Sequence, residues 1–536
     1  MMSLDKARMA TERLGEAVAG QARSLASDCV VDGRVSSALL DQHQEAAYHL
    51  AFLAAEAATA AALTEYGEQG KDEDRLARVA TADLLRSARA RRDGRRFGDD
   101  LRGGEMDDAL EDGSDPQVLE EVAARVQSTG SGPRHLPDEV GLLADTFGRF
   151  ADEQVAPRAE DVHRRNLDVP EEVIAGMAAL GAFGMSIPPE YGGYQEPGDS
   201  GALAMVVATE ELSRGSLMAG SLLTRPEILV SALLNGGTED QKKRWLPAIA
   251  AGGQMVAVAV TEPDYGSDVA GITMTARPDG TGFLLNGAKM WATFAGRAEL
   301  LMVLVRTNPD RAAGARGLSL FVVEKSASAG HYFELDQPAG GRLVGRAIDT
   351  IGYRGLHSFE LTFDDWAMPG DTLIGEEAGA GRGFHLQMGA FAAGRLQTAA
   401  RALGVMEAAF REALAFAQQR KVFGRPLIDY QLTRVGLARM AARIQAGRSL
   451  TYRAAQRLAT PDGQTEAAMA KALTSRAAEE ITRDAMQMHG GYGYAEEYPV
   501  SRLFVDARVL SIFEGTEEIL ALRVIARDLI ARAAGT

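Results

Sequence analysis

"FLLNGAKMWATF", residues 283–294, interrupts a chain that otherwise reads mostly as helix. Asn286-Gly287 between two apolar stretches predicts a β-hairpin turn. Trp291 and Thr293 stand two apart, so on a strand they would share one face. Downstream, "LLMVLVRT" (300–307) and "LSLFVVEK" (318–325) are short apolar runs, and "SFELTFDDW" (358–366) alternates Phe359, Leu361 and Phe363 with polar residues, as a half-buried strand does. A β domain is expected over 255–372.

Helical patterns flank it. "LLDQHQEAAYHLAFLAAEAATAAALTEYG" (39–67) is rich in Ala, Leu and Glu and free of proline. It falls in a helical N-terminal extension, 1–135, which ends at the Pro/Gly-rich "QSTGSGPRHLPDE" (127–139), read as a linker. A second helical domain follows over 136–254, broken by the loop "IPPEYGGYQEPGDSG" (187–201). The helical runs at 394–420 and 465–491 give a C-terminal helix bundle over 373–536. The fold class is thus α+β and multidomain.

Composition weighs against several functions. The net charge is −17, opposite to the basic surface that nucleic acid requires. The arginine-rich run 86–103 is followed at once by the acids of "GEMDDALEDGSD", so both read as a compensating, solvated segment. Cys29 is the only cysteine, and the eight histidines form no HExxH pair, so no metal motif is read. No uninterrupted run of about 18 apolar residues occurs, and no apolar signal core opens the chain, so no membrane span and a cytoplasmic location are expected. Neither a dinucleotide GxGxxG nor a P-loop is present.

Five short segments carry the chemistry. "VAVAVTEPDYGSD" (256–268) runs a strand into a hydroxyl-bearing turn that suits a polar ring edge or a phosphate, or is a decorated turn. "NGAKMWATF" offers an aromatic face and a hydroxyl to a flat cofactor, or core packing. "QRKVFGRPL" (419–427) sets cations around a glycine, a pyrophosphate site or a basic loop. "QMHGGYGYAEEYPVSR" (487–502) is a glycine-tyrosine loop between helices. "SIFEGTEEIL" (511–520) places Glu514 between Phe513 and Gly515, either as an acid opening a helix or as a base in a dry site.

In this order and spacing the segments resemble the acyl-CoA dehydrogenase family over 136–535. The resemblance implies an N-terminal helical domain, a middle β domain and a C-terminal four-helix bundle, usually in a homotetramer. FAD would lie between the β domain and the bundle. Val260, Thr261, Gly266 and Ser267 would hold the flavin ring, with Trp291 and Thr293 beside it. Arg420, Phe423, Gln431, Gln487, Gly490 and Gly491 would hold pyrophosphate and adenosine in a neighbouring subunit, and Thr516 and Glu518 would also face the cofactor. Glu514 would take the α proton of an acyl thioester while a hydride leaves the β carbon for flavin N5. The Glu514 backbone N–H and a ribityl hydroxyl would stabilise the enolate-like oxygen. Electrons would pass on to an electron-transferring flavoprotein.

Ser267, Arg395, Gly515 and Arg527 would meet the acyl-CoA. "EGTEEILALRVIAR" is one residue longer than the family pattern, which leaves Arg523 as the alternative to Arg527. Asp264 and Tyr265 replace smaller residues and would reshape the mouth of the acyl pocket. "GRLQTAARALGV" (394–405), "HLAFLAAEAAT" (49–59) and the length resemble the branch of the family that acts on methylsuccinyl-CoA in acetate assimilation. That substrate ends in a carboxylate, so a cation is expected in the pocket. Arg225 is the candidate, with Pro226 expected to bias it out of helical geometry. Competing readings on the same fold are an oxidase or monooxygenase and a flavin-containing nucleic-acid binder.

Overall fold

A computed structural model describes residues 2–92, 101–195, 199–338 and 340–535. The chain divides into two compact units, Leu143–Gln397 and the pair Met1–Leu142 with Thr398–Thr536. The division falls inside helix Gly383–Gln419.

The two-ended unit is helical apart from small hairpins. The first pairs β1 (Val30–Val31) with β2 (Arg34–Val35). One apolar cluster lies within the N-terminal segment, around Leu14, Leu53, Leu85 and Met106. A second joins Leu25, Leu50 and Phe52 to Leu450, Met469, Leu520, Ile525 and Ile530, so the extension and the C-terminal helices share a core. Helix Gln44–Gly67 is buried on all sides, which is why it is apolar all round. By length and composition this helix and Leu217–Gly236 could cross a membrane, but 67% and 83% of these windows are buried inside the protein. Both carry interspersed polar residues, so neither is an unbroken apolar run.

Two expectations for this unit change. Helix Pro116–Thr129 runs into the expected linker, and the rest is fastened down. The Ser131 hydroxyl donates to Glu407 Oε2 at 2.6 Å, and Gln445 Nε2 donates to the Ser131 carbonyl at 2.9 Å. Pro/Gly-rich composition excludes a helix there, not hydrogen bonds. In the arginine-rich run, Arg89 pairs with Asp107 of the following acidic stretch as compensation requires, but Arg86 pairs with Asp83 upstream and Arg91 with a buried acid, Glu56. Residues 93–100 of that run lie outside the described residues.

The other unit packs helices on a sheet. The strands are β3 (Val256–Ala259), β4 (Thr275–Asp279), β5 (Gly282–Thr293), β6 (Leu300–Arg306), β7 (Leu318–Glu324), β8 (Tyr332–Asp336), β9 (Arg342–Ile348) and β10 (Ser358–Pro369), in the order β3-β6-β4-β5-β10-β9-β8 with β7 also on β6. Leu300, Met302, Leu320 and Val322 meet Leu229, Leu233, Trp245 and Ile249 in the core.

Asn286-Gly287 is not a hairpin turn. β5 runs straight through it, and the turn lies earlier, where Asp279 faces Gly282 across Gly280 at φ +57°. Asn286 instead brackets a bulge in β10: its Nδ2 donates to Asp365 Oδ1 at 2.8 Å and its Oδ1 accepts from the Asp365 N–H at 3.0 Å. A second bulge puts an extra residue in β5 between Lys289 and Ala292. There Trp291 adopts φ +60°, which breaks the alternation. Trp291 is therefore exposed while Ala292 and Thr293 are both buried, so Trp291 and Thr293 do not share a face.

Glu407 gives a test of this packing. Burial opposes its charge, but Arg448, Arg411 and the Ser131 hydroxyl hold its carboxyl down to about 2 against the model-compound 4.5. A depressed carboxyl contributes stability that is complete above the unfolded value and is lost as pH falls through the folded one. The contribution is roughly 3 kcal/mol between about pH 4.5 and pH 2. Denaturant unfolding of Glu407→Gln across that window should show a shallower pH slope than the parent; an identical slope refutes the assignment.

Candidate functional site

In the two-ended unit, two long helices fix the segment that carries Glu514. Glu514 is not a helix-opening acid: the helix begins at Glu517, capped by the Thr516 hydroxyl accepting from the Ile519 N–H. Glu514 itself sits at φ +55° and Gly515 at φ +96°. A glutamate in this left-handed region needs outside support, and Gly515 is required by the backbone rather than only by ligand approach. Helix Gly383–Gln419 supplies the support. Thr398 Oγ1 donates to Glu514 Oε2 at 2.7 Å, and Arg401 Nη2 donates to Oε1 at 2.7 Å. Arg401 is completely buried, also bonds Thr398 Oγ1, and lies 4.6 Å from the centre of the Phe513 ring. The expected dry pocket is therefore lined by a cation as well as an aromatic ring. Arg401 and Thr398 were not singled out in the sequence, since their meeting with Glu514 spans more than a hundred residues.

Helix Pro461–His489 fixes the same segment from its other side. Lys471 Nζ donates to the Gly515 carbonyl at 2.5 Å and Ser475 Oγ to the Leu510 carbonyl at 3.1 Å. Arg476 Nη2 bonds Glu517 Oε1 at 2.6 Å, and Tyr48 of the extension donates to the same carboxylate. Burial and the Glu517 charge push the Tyr48 phenol up to about 12, so it remains a donor. Thr516 and Glu518 line an open depression of about 630 Å³ with Arg476, Glu479 and Arg508. The segment after Glu514 that runs one residue longer than the family pattern contains a π-helical turn, Leu520–Ala526. Arg523 is bound to Asp41 at 2.7 Å, and Arg527 is exposed.

The basic and glycine-tyrosine loops belong to this unit too. The Arg420 guanidinium lies 5.4 Å from the centre of the Tyr492 ring, which links the two loops. Phe423 is 98% exposed at φ +47° and Leu432 is 87% exposed, an unusual display for apolar side chains. Gln431 and Gln487 are exposed beside them. At Gly490 and Gly491 an added Cβ meets nothing within 4 Å, so both backbones face open space.

In the Leu143–Gln397 unit, the turn after β3 is built on a buried ion pair. Lys289 is fully buried; its Nζ donates to Glu262 Oε1 and to the Val260 carbonyl, both at 2.9 Å. Glu262 also accepts from the N–H groups of Thr273 and Met274, at 2.7 and 2.9 Å. Burial pushes the Lys289 ammonium down to about 8. For Glu262, burial is outweighed by Lys289 and the two N–H groups, which hold its carboxyl below the usual range. Glu262 and Tyr265 close the turn through paired backbone bonds of 3.0 and 3.2 Å. Above this base Gly266, Ser267 and Asp264 are exposed, and a Cβ on Gly266 would enter open space. The Thr261 carbonyl accepts from the Met290 N–H at 2.8 Å, and Thr293 Oγ1 bonds Ser358 Oγ at 2.9 Å. These contacts join the turn to the bulge that exposes Trp291. Glu262 and Lys289 were passed over in the sequence because charged residues are rarely fully buried unless paired.

Arg225 corrects one expectation and meets another. It lies inside helix Thr224–Gly236, with Pro226 in the first turn, where the missing N–H has no intrahelical partner to lose. It is nevertheless buried. Its Nη1 donates to the Ser221 carbonyl at 2.8 Å, and its guanidinium lies 5.8 Å from the centre of the Tyr353 ring. Among the described residues no carboxylate pairs with it. The neighbouring Thr224 hydroxyl bonds Gln397 at 2.8 Å, and Arg395, two residues before Gln397, is half-buried.

Comparison with known proteins gives three successive family matches: the acyl-CoA dehydrogenase N-terminal domain over 137–253, the middle domain over 257–366 and the C-terminal domain over 381–530. A (2S)-methylsuccinyl-CoA dehydrogenase of Cereibacter sphaeroides is 36% identical over 542 residues, 96% of each chain. Among solved structures, the butyryl-CoA dehydrogenase of Megasphaera elsdenii is 31% identical with a TM-score of 0.66, covering 74% of this chain and 98% of that one. A glutaryl-coenzyme A dehydrogenase in complex with glutaryl-CoA is 31% identical with a TM-score of 0.67, covering 74% and 96%.

The ion pair under the turn can be tested by itself. Lys289→Met leaves the Glu262 carboxylate buried without its cation and should lower unfolding stability by about 3–5 kcal/mol. Lys289→Met combined with Glu262→Gln should recover part of that loss in denaturant melts. A single variant within about 0.5 kcal/mol of the parent, the range of ordinary surface changes, contradicts the account.

Proposed function

The chain belongs to the acyl-CoA dehydrogenase family, and on that premise we propose that it oxidises (2S)-methylsuccinyl-CoA to mesaconyl-CoA, a step of the ethylmalonyl-CoA pathway. The observation that carries the choice of substrate is the likeness to a methylsuccinyl-CoA dehydrogenase along 96% of both chains, N-terminal extension included. Dehydrogenation of another short branched acyl-CoA is the alternative. We place the enzyme in the cytoplasm, as a homo-oligomer that passes electrons to an electron-transferring flavoprotein. The exposed Phe423 and Leu432 support assembly, since apolar side chains so displayed suit an interface.

The chemistry assigned to this chain begins at Glu514. Its carboxylate accepts the α proton of the thioester. A proton acceptor must be ionised and aimed, and Arg401 and Thr398 supply charge and direction, one hydrogen bond to each oxygen. The electron pair of the α C–H bond forms the new C=C as hydride leaves the β carbon, and the Glu514 backbone N–H is assigned to the enolate-like oxygen. FAD, when bound, supplies the two-electron acceptor. Residues fit to hold it are Val260, Thr261, Gly266, Ser267, Trp291 and Thr293 for the ring, with Thr516 and Glu518 nearby in sequence to the base. Arg420, Phe423, Gln431, Gln487 and the open backbones of Gly490 and Gly491 suit the pyrophosphate and adenosine. For the CoA, Arg527 is favoured over Arg523, whose guanidinium is engaged by Asp41; Arg395, Ser267 and Gly515 are assigned to the acyl end.

Arg225 is the proposed anchor for the substrate carboxylate. A buried guanidinium with no carboxylate partner among the described residues leaves its charge for an anionic ligand.

Glu514→Gln should retain FAD and lose turnover by about a hundred- to ten-thousandfold, the contribution of general base catalysis. Arg401→Met should keep the base but lower kcat by about a hundredfold through misplacement. Wild-type turnover in a flavin-replete Glu514→Gln protein ends the assignment.

A panel of acyl-CoAs with an artificial electron acceptor tests the substrate. The parent should prefer methylsuccinyl-CoA to isobutyryl-CoA and 2-methylbutyryl-CoA. Arg225→Met should raise KM for methylsuccinyl-CoA by about ten- to a hundredfold, the loss of a charged hydrogen bond, and leave neutral substrates little changed. A parent that prefers neutral chains overturns the methylsuccinyl proposal; a variant that keeps the dicarboxylic preference moves the anchor elsewhere.

A further inference from the structure

Three side chains that the reaction does not use converge within the Leu143–Gln397 unit. Asp168 lies between helices Ala156–Arg165 and Glu171–Ala179, His331 just before β8, and His357 just before β10. The Nε2 atoms of the two histidines are 3.0 Å apart, and His357 Nε2 is 3.2 Å from Asp168 Oδ1. One ligand atom from each of the three lies within 4.8 Å of the others. The second carboxylate oxygen, Oδ2, is held by the Gly330 N–H at 2.8 Å.

Ordinary hydrogen bonding accounts poorly for this arrangement. A neutral imidazole nitrogen either donates or accepts. His357 Nε2 faces a carboxylate, which only accepts, and another imidazole nitrogen. If it donates to Asp168, it has no lone pair left for a proton from His331, and its single N–H must be shared between the carboxylate and a neutral His331 nitrogen. If both rings are charged, their N–H groups point at each other. A divalent cation removes the conflict, because all three groups then present lone pairs to it.

We propose that Asp168, His331 and His357 bind a first-row divalent transition metal, zinc foremost, as a structural site. Bonds of about 2.0–2.1 Å at a tetrahedral angle set ligand nitrogens roughly 3.3 Å apart, so the pair at 3.0 Å needs to open by only a few tenths of an ångström. Two imidazoles and one carboxylate select zinc and its neighbours over magnesium or calcium, which take oxygen ligands. A water completes the set from the exposed side, where Asp168 and His331 lie; His357 is buried.

The backbone is prepared for this role. His357 is held at φ +38°, a conformation non-glycine residues rarely adopt. The loop carrying Asp168 is tied to the one carrying His357, with the Val169 N–H donating to the Gly355 carbonyl at 2.7 Å and Arg354 Nη1 to the His163 carbonyl at 2.8 Å. The metal fastens that helical loop to the starts of β8 and β10. No sequence motif announced it because the ligands lie far apart in the chain.

The test uses the full-length, FAD-loaded protein without a histidine tag, treated with chelator and dialysed. Titration with Zn²⁺, and with Co²⁺ as a visible-absorption probe, should give one ion per chain and a raised thermal midpoint. His331→Ala and Asp168→Asn, both at exposed positions and so expected to fold, should bind at least about tenfold more weakly and lose the thermal shift, with an unchanged circular dichroism spectrum. No uptake by the parent overturns the site. Uptake equal in parent and variants means an adventitious ion only and overturns it too.

Discussion

A guanidinium with no access to water has to be neutralised where it stands, and Arg401 meets that demand through Glu514. The pair constrains both partners. It requires helix Gly383–Gln419 to present Arg401 and Thr398 on one turn, and it holds Glu514 at a backbone angle that a glutamate does not choose unaided. Leaving Arg401 buried without its acid costs several kilocalories, on the order of 3–5 kcal/mol. That is enough to hold the strained "FEGT" turn in place. A carboxylate fixed in this way needs no reorganisation before it accepts a proton.

The same turn connects the N-terminal extension to the proposed chemistry. Tyr48 and Arg476 converge on Glu517, three residues beyond the proposed base, and Asp41 takes Arg523. The extension is thus an internal brace of its unit, with a shared apolar core behind it.

In the β-rich unit, two bulges and one ion pair have the comparable role. Lys289 and Glu262 fix the base of the "TEPDYGSD" turn from below, and the bulge two residues beyond Lys289 turns Trp291 outward. An indole half in solvent is costly for a core residue and natural for one that covers a flat ligand. One buried ion pair and one residue at positive φ thus underlie the segments assigned to the flavin ring.

The sequence by itself determined the element types and their order. Hydrophobic periodicity and β-rich apolar runs are local properties, and they located the β domain between helical segments. Ordered motifs, each weak alone, were enough to point to the family and to Glu514, because the residues of each motif lie within a few positions of one another in the chain. Tertiary structure alone decided which face and which partner. A single extra residue in β5 reversed the expected side of Trp291, and local pattern cannot register a bulge. Asn286-Gly287 carries the same dipeptide signal at a bulge as at a hairpin, so only strand pairing separates the two. The contacts of Arg401 with Glu514, Lys289 with Glu262, and His331 with His357 and Asp168 join residues far apart in the chain. The first two depend on burial, which removes water as the competing partner and which no short stretch of sequence can reveal.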